Sequence, residues 1–290
     1  MIKIGTKPLI SVIIPTYNRS EFLPEVIKLL LSQSFADWEA IIVDDSTIDS
    51  NNIIERYQDN RIRYIHRGVK SGVSAARNQG AALAMSSFIV FLDDDDQVTV
   101  NWLSDFALLI EQNKGAKVFF CGYEHTDTYS RKKVIVNPEE ELWRVIFPGA
   151  FLIRKDFYNE LGGYDENILY GENTELFFRI REQNPYYALT NHINYLYFPS
   201  MDGGSKNIKN IVESHRIVLR KHNLFFERNK KVKKLYLRMI GVSLMKLEKF
   251  SQARSYLWQS YMLDPMEFKS VLRLIVCYIP FLAKRIYFLK

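Results

Sequence analysis

Two cysteines in 290 residues, Cys121 and Cys277, leave no material for a disulfide framework, and the chain fits a reducing, cytoplasmic compartment. No basic stretch followed by an apolar core opens the sequence, so no secretory leader is expected. Nor is there an unbroken run of the ~20 apolar residues that a membrane-spanning helix needs. The nearest approach, Val271 to Lys290, is interrupted by Arg273, Pro280 and Lys284. The net charge is +6, but no nucleic-acid recognition motif accompanies it, so nucleic acid is a poor candidate partner. A glycine-rich phosphate loop is also missing after the first apolar run, where Pro15-Thr16-Tyr17-Asn18 stands instead. What is present is ample core material: hydrophobic residues make up 47% of the chain. The length suits one large α/β domain with a helical appendage.

Apolar runs and helical stretches alternate through the first half. Leu9 to Ile14 reads as a strand, a helical stretch carries Phe22, Val26, Ile27, Leu30 and Leu31, and Trp38 to Val43 reads as a second strand ending in Asp44-Asp45-Ser46. A polar helix near Asn52 to Tyr57 precedes a short strand, Ile62 to Ile65. Gly72 opens another helix, which leads to the apolar run Phe88 to Leu92. Such alternation predicts a mostly parallel sheet flanked by helices.

The run from Phe88 ends in four consecutive aspartates, Asp93 to Asp96. Carboxylates at the C-terminal end of a strand lie where open α/β sheets put their ligand crevice. Four adjacent acids repel one another unless a cation neutralises them, and hard divalent cations favour oxygen ligands. The expectation is a Mg²⁺ or Mn²⁺ site holding a substrate phosphate; the plainer alternative is an acidic loop capping a helix that starts near Val98. Three strand ends thus carry groups suited to a nucleotide: the Pro15–Asn18 turn, Asp44-Asp45 and the aspartate run.

Ser11-Val-Ile-Ile-Pro15-Thr-Tyr-Asn18, Ile42-Val-Asp-Asp45-Ser46, Gly72-Val-Ser-Ala-Ala-Arg77-Asn78 and Phe91-Leu-Asp-Asp-Asp-Asp96 follow in order. Together they resemble the nucleotide half of family 2 glycosyltransferases, inverting enzymes of GT-A fold. The likeness runs from about Pro8 to Asn113 and resumes from about Gly149 to Gln183. It implies transfer of a sugar from a nucleotide diphosphate donor, a UDP-sugar by preference, to a glycan or lipid-linked acceptor. It also implies a divalent metal, Mn²⁺ or Mg²⁺, on a D-x-D element.

By resemblance, Asp44 or Asp45 would accept a hydrogen bond from base or ribose, although Asp45 and Ser46 are also good helix-capping types. Asp93 would face the nucleotide together with Asp94, and Asp95 would ligate the metal with Asp93; Asp96 would support the site or cap the helix. Tyr17 offers a flat face on which a base can stack, or serves as a half-buried turn aromatic. Arg77 offers a guanidinium fork for phosphate, or is a solvated helix residue.

On the acceptor side, Leu161-Gly-Gly-Tyr-Asp165-Glu166 and Gly171-Glu172-Asn173-Thr174-Glu175 resemble the family's Gly-Gly-Phe-Asp-Glu-like turn and the Glu-Asp pair opening a helix. Here the pair is Glu172-Asn173, and an asparagine cannot take a proton as the family's base aspartate does. Glu172 is the first choice for the base. Glu175 is the other acid within reach, or else the i,i+4 ion-pair partner of Arg179. Asn173 doubles as an N-cap. A non-catalytic nucleotide-sugar-binding relative acting through partners is the leading alternative. A sugar nucleotidyltransferase is disfavoured because the first turn is not glycine-rich.

The expected organisation is a GT-A domain over residues 1–205, with a nucleotide and metal half at about 8–113 and an acceptor half at 114–205. A helical region, 206–290, follows. His125 to Pro138 reads as an excursion, Tyr186 to Leu189 and Asn194 to Phe198 as short strands, and Ser200 to Ser205 as a loop, either a lid or a linker. Leu235 to Pro265 shows the spacing of one helical hairpin. The basic, aromatic tail admits two readings: a helix lying on an anionic membrane, giving peripheral contact at its cytoplasmic face, or a terminal helix packed on the fold.

Overall fold

The structure is a computed structural model describing residues 7–126, 132–198 and 207–287. It divides into two compact units, Met1–Glu166 with Asn173–Met201, and Asn167–Glu172 with Asp202–Lys290.

In the first unit, β1 (Ile10–Thr16) and β2 (Trp38–Asp44) are buried along their whole length, as strands covered on both faces must be. Helix α1 (Leu23–Leu31) joins them, its Pro24 in the first turn and Leu23, Val26, Ile27 and Leu30 turned to the core. A short helix α2 (Asn51–Ile54) and a 3₁₀ turn (Glu55–Tyr57) lead to β3 (Ile62–His66). Helix α3 (Val73–Leu83) then leads to β4 (Phe88–Phe91). These four strands lie in the order β3-β2-β1-β4 and every pairing among them is parallel. The alternating pattern predicts this half nearly element for element.

Beyond the aspartates the chain departs from expectation. No helix starts near Val98. Instead Gln97–Val98 forms β5, and α4 (Trp102–Gln112) begins only after Asn101. The β-branched pair Val98-Thr99 is better placed beside a strand than in a helical turn: Val98 pairs with Tyr195, and Thr99 N donates to Asn194 O at 3.0 Å. Next come β6 (Val118–Thr126), β7 (Lys133–Val136), α5 (Pro138–Glu141), β8 (Phe151–Arg154), α6 (Lys155–Glu160), α7 (Glu172–Gln183) and β9 (Tyr187–Tyr197). Of the excursion predicted at 125–138, residues 125–126 and 133–136 belong to the paired strands β6 and β7; residues 127–131 lie outside the described residues. The two short strands expected from 186 to 198 are one strand, β9, irregularly paired with β6 around Gly122. The sheet continues from β4 through β8, β6, β9 and β5, with mixed directions. The loop Ser200 to Ser205 lies outside the described residues.

The second unit is helical: α8 (Ile208–Lys221), α9 (Asn223–Arg228), α10 (Lys230–Lys246), α11 (Phe250–Met262), α12 (Phe268–Tyr278) and α13 (Pro280–Tyr287). The Asn207 side chain caps α8 by accepting from the backbone N–H groups of Lys209 and Asn210. The predicted hairpin is α10 with α11, and Ile240, Leu244, Met245, Ala253 and Leu257 share its core with Val276, Cys277 and Ala283. Pro280 breaks the tail into two helices. Among the described residues no helix is long and apolar enough to cross a membrane.

One packing contact of the first unit is tight enough to test. A Cβ on Gly149 would sit 2.2 Å from the Tyr195 ring, and the Gly149 carbonyl accepts from Trp102 Nε1 at 2.8 Å. Gly149→Ala therefore forces the ring or the backbone to shift and should cost about 1–3 kcal/mol. A lowered denaturation midpoint checks this; an unchanged one would show that the Tyr195 ring turns aside freely.

Candidate active site

The C-terminal ends of β1, β2, β3 and β4 gather at one edge of the parallel half. The chain runs from β1 outward to β3 and then returns to place β4 on the other side of β1. That reversal is the switch point where open α/β sheets bind ligands.

At the end of β4 the aspartates turn, with Asp96 N donating to Asp93 O at 3.2 Å, and their side chains divide into two kinds. Asp94 is buried, accepting from Thr16 Oγ1 at 2.6 Å and from Arg19 Nη1 at 3.0 Å. Asp96 is buried too, accepting from the Tyr195 hydroxyl and, at 2.9 Å, from Phe198 N. It holds β9 and caps no helix, because α4 begins further along. The side chains of Asp93 and Asp95 remain 31% and 17% exposed. Arg77 Nη2 donates to Asp93 at 2.6 Å, and Arg19 Nη1 donates to Asp95 at 2.7 Å. The two open carboxylates are those of the D-x-D reading, and the two buried ones fasten the turn.

Among the described residues no group of three His, Cys, Asp or Glu side chains is arranged to hold a metal ion. Two open carboxylates nevertheless fit Mg²⁺ chemistry, since that ion commonly takes one or two carboxylates and completes its shell with substrate phosphate and water. The donors are hard oxygens, as Mg²⁺ and Mn²⁺ prefer.

At the end of β2, each oxygen of Asp44 has a donor: Ser46 N at 2.8 Å and the Tyr64 hydroxyl at 2.7 Å. Asp45 Oδ2 accepts from Ser71 N, Ser71 Oγ and Gly72 N at 2.8–3.1 Å. Its other oxygen faces Arg67 Nη1 at 3.2 Å, outside hydrogen-bond geometry, so two buried polar atoms there lack hydrogen-bond partners. That is the kind of deficit a ligand can fill. Of the two aspartates, Asp45 is therefore the better placed to receive a base or ribose. Pro15 and Thr16 end β1; Asn18 follows with φ 51°, and its N–H donates to Ser46 Oγ at 2.6 Å. Tyr17 is 37% exposed, with Lys70 Nζ 4.4 Å from its ring centre.

Arg77 is buried, not solvated, and its guanidinium lies 5.2 Å from the Tyr164 ring centre. The Tyr164 hydroxyl donates to Asn173 Oδ1 at 2.8 Å. The neighbouring Asn78 clamps the Gly162–Glu166 turn. Its Oδ1 accepts from the Tyr158 hydroxyl and Tyr164 N, and its Nδ2 donates to Tyr164 O and Glu166 Oε1. Gly163 has φ +67°, and a Cβ there would lie 2.7 Å from Asn78 Oδ1, so the turn needs glycine. Glu172 opens α7, half-buried, at the edge of the segment grouped with the helical unit. Glu175 is fully buried and pairs with Arg179, whose Nη1 also donates to Leu161 O at 2.7 Å and Gly163 O at 2.6 Å.

Sequence reasoning did not single out Arg19, Arg67, Tyr164 or Tyr195. The signal for Arg19 was charge: a cation just past one strand end, facing four acids at the next. Tyr195 gave none, being 99 residues from Asp96.

The profile of Glycosyl transferase family 2 matches residues 11–172. Curated relatives include the putative colanic acid biosynthesis glycosyl transferase WcaA of Escherichia coli, 42% identical over 34% of this chain and 37% of its own length. Glycosyltransferase GlyG of Streptococcus pneumoniae is 30% identical over 53% of this chain and 59% of its own. A GalNAc(5)-diNAcBac-PP-undecaprenol beta-1,3-glucosyltransferase of Campylobacter jejuni is 38% identical over 39% of this chain and 37% of its own. The matches thus span between 37% and 59% of these relatives' lengths. Among solved structures, S. aureus TarS 1-349 superposes with a TM-score of 0.65 over 94% of this chain and 88% of its own, at 18% identity. The same protein in complex with UDP-GlcNAc gives 0.63 over 93% and 79%, at 17% identity. The fold is therefore that of TarS, which agrees with the expected α/β architecture and helical C-terminal region.

Two predictions follow from the geometry. Burial pushes the Asp94 carboxyl up to about 6, and burial followed by the nearby Asp93 charge raises Asp96 further. Both carboxyls bind protons more tightly folded than unfolded. Their stabilising contribution is thus complete below about pH 4 and is lost as pH rises through 6 and beyond. Without divalent cation the melting temperature should carry a falling component over that range, and Asp96→Asn should flatten it; an unchanged profile in the variant would contradict the assignment. Second, Glu175→Gln removes the counter-charge of a largely buried guanidinium and should destabilise the fold by about 3–5 kcal/mol in denaturant unfolding. A loss below 1 kcal/mol would mean that the Glu175–Arg179 pair does not anchor the turn.

Proposed function

The chain belongs to glycosyl transferase family 2, and from that premise we propose that it transfers a sugar, with inversion, from a nucleoside diphosphate donor to an acceptor hydroxyl. The observation that carries this reading is the end of β4, where two half-open carboxylates flank a buried one beside two arginines. The donor is a UDP-sugar: TarS of the same fold was solved with UDP-GlcNAc and with UDP. A glycan or lipid-linked acceptor, used at the cytoplasmic face of a membrane, is supported by the undecaprenol-linked substrate in the name of one relative.

Tyr17 and Asp45 would receive the base and ribose, with Arg67 beside them. Asp93 and Asp95 would hold Mn²⁺ or Mg²⁺, which when bound neutralises the charge of the diphosphate and of the leaving group. Arg77 adds a fixed cation at the same edge, held by Asp93 and the Tyr164 ring. In the transfer the acceptor oxygen bonds to the anomeric carbon from the face opposite the diphosphate. The bond to the phosphate oxygen breaks, the nucleoside diphosphate leaves with the electron pair, and the acceptor proton passes to a carboxylate.

That carboxylate is Glu172 in this account. Asn173, at the family's base position, accepts from the Tyr164 hydroxyl and cannot serve. Glu175 is fully buried in its pair with Arg179. Asn173 would instead orient the acceptor. The competing reading, a nucleotide-sugar-binding relative without turnover, draws on the same asparagine.

Turnover measured over a panel of nucleotide sugars with Mn²⁺ or Mg²⁺ tests the proposal. General-base catalysis is typically worth ~10²–10⁴-fold, so Glu172→Gln should lower turnover by about that factor with donor affinity nearly unchanged. Wild-type turnover in the variant would remove Glu172 from the mechanism. Binding without transfer by the wild type would favour the non-catalytic reading.

A further inference from the structure

Helix α12 turns a row of large apolar side chains outward. Phe268, Leu272, Ile275 and Ile279, at its C-terminal end, follow at spacings of four, three and four, which is one helical face. They are 75%, 49%, 51% and 46% exposed, while Ser270, Val276 and Cys277 take the buried side. In α13, Phe281 and Ile286 are likewise exposed, 77% and 48%. Apolar residues scattered singly on a surface are ordinary, but a continuous row is a mark of something that covers it.

Charge narrows the choice of partner. From Phe268 to Tyr287 the chain carries Lys269, Arg273, Lys284 and Arg285 and no aspartate or glutamate. Lys269 and Arg285 are exposed; Lys284 is also exposed and reaches Glu248, in the turn between α10 and α11, at 2.7 Å. A symmetric dimer through this face would set the same patch against itself, bringing acid-free basic rows together. An anionic surface with an apolar layer beneath matches both features. The two helices, of 11 and 8 residues, are too short to span a bilayer and suit its plane.

We propose that the outward face of α12 and α13 docks on an anionic lipid bilayer, with the apolar row at the acyl boundary and the basic residues at the headgroups. The proposal stands whether or not the chain transfers a sugar.

Sedimentation of the full chain with vesicles tests it, using phosphatidylcholine alone or mixed with phosphatidylglycerol. The wild type should sediment with the anionic vesicles only and be released as salt rises. Leu272→Glu combined with Ile275→Glu should reduce binding to background; both sites are half exposed, so its melting temperature should stay near that of the wild type. Lys269→Gln and Arg285→Gln, which leave the apolar row intact, should each weaken binding roughly fivefold. Wild type that fails to sediment with anionic vesicles overturns the proposal, as does a doubly substituted protein that sediments like the wild type. Concentration-dependent dimerisation abolished by the Glu pair, without vesicle binding, would assign the face to a second copy instead.

Discussion

Four neighbouring carboxylates at the end of one buried strand set the terms for the rest of the first unit. Two unit charges about 4 Å apart, at an effective dielectric constant of about 20, repel by about 4 kcal/mol. A run of four therefore persists only if the fold answers it. The answers come from far apart in sequence: Thr16 and Arg19 from the end of β1, Arg77 from α3, Tyr195 from β9. Each ties its element to the same turn. Burying Asp94 and Asp96 is costly, and hydrogen bonds offset that cost; Asp93 and Asp95 stay partly exposed. The site's chemistry and the joining of the two halves of the sheet thus have one origin.

A second line runs from these acids to the asparagine of α7. Asp93 holds Arg77, Arg77 lies against Tyr164, and Tyr164 donates to Asn173. Asn78, next to Arg77, pins the glycine turn that carries Tyr164, and the buried Glu175–Arg179 pair holds that turn from the other side. An aspartate at 173 would put a charge where the tyrosine now meets a neutral amide oxygen. The surroundings of Asn173 are built around a hydrogen-bond acceptor, and the proposed base lies one residue earlier.

The sequence made the first half legible because buried parallel strands and amphipathic helices have strong periods and the polar residues at their ends stand out. Pro15 to Asn18, Asp44-Asp45 and Asp93 to Asp96 are all at strand ends. The Glu175–Arg179 pair was legible too, as an i,i+4 spacing. Less visible were features decided by partners distant in the chain. Val98-Thr99 looked like the start of a helix because nothing local shows that β9 lies alongside. Asp96 read as support for the site or as a helix cap, and nothing local chose between them because Tyr195 is 99 residues away. For Arg77 the sequence left a phosphate fork and a solvated helix residue both open, and only the placement of Tyr164 and Asp93 around it removes the solvated one.

The central claim is that the open pair, Asp93 and Asp95, holds a divalent cation together with a nucleoside diphosphate. Calorimetry of UDP binding with Mn²⁺ and then with excess EDTA, for the wild type and for Asp95→Ala, tests it most directly. The account predicts tight binding by the wild type only when the cation is present. It further predicts that Asp95→Ala, while still folded, binds equally weakly under both conditions. UDP affinity that is the same with and without the cation in the wild type would contradict it.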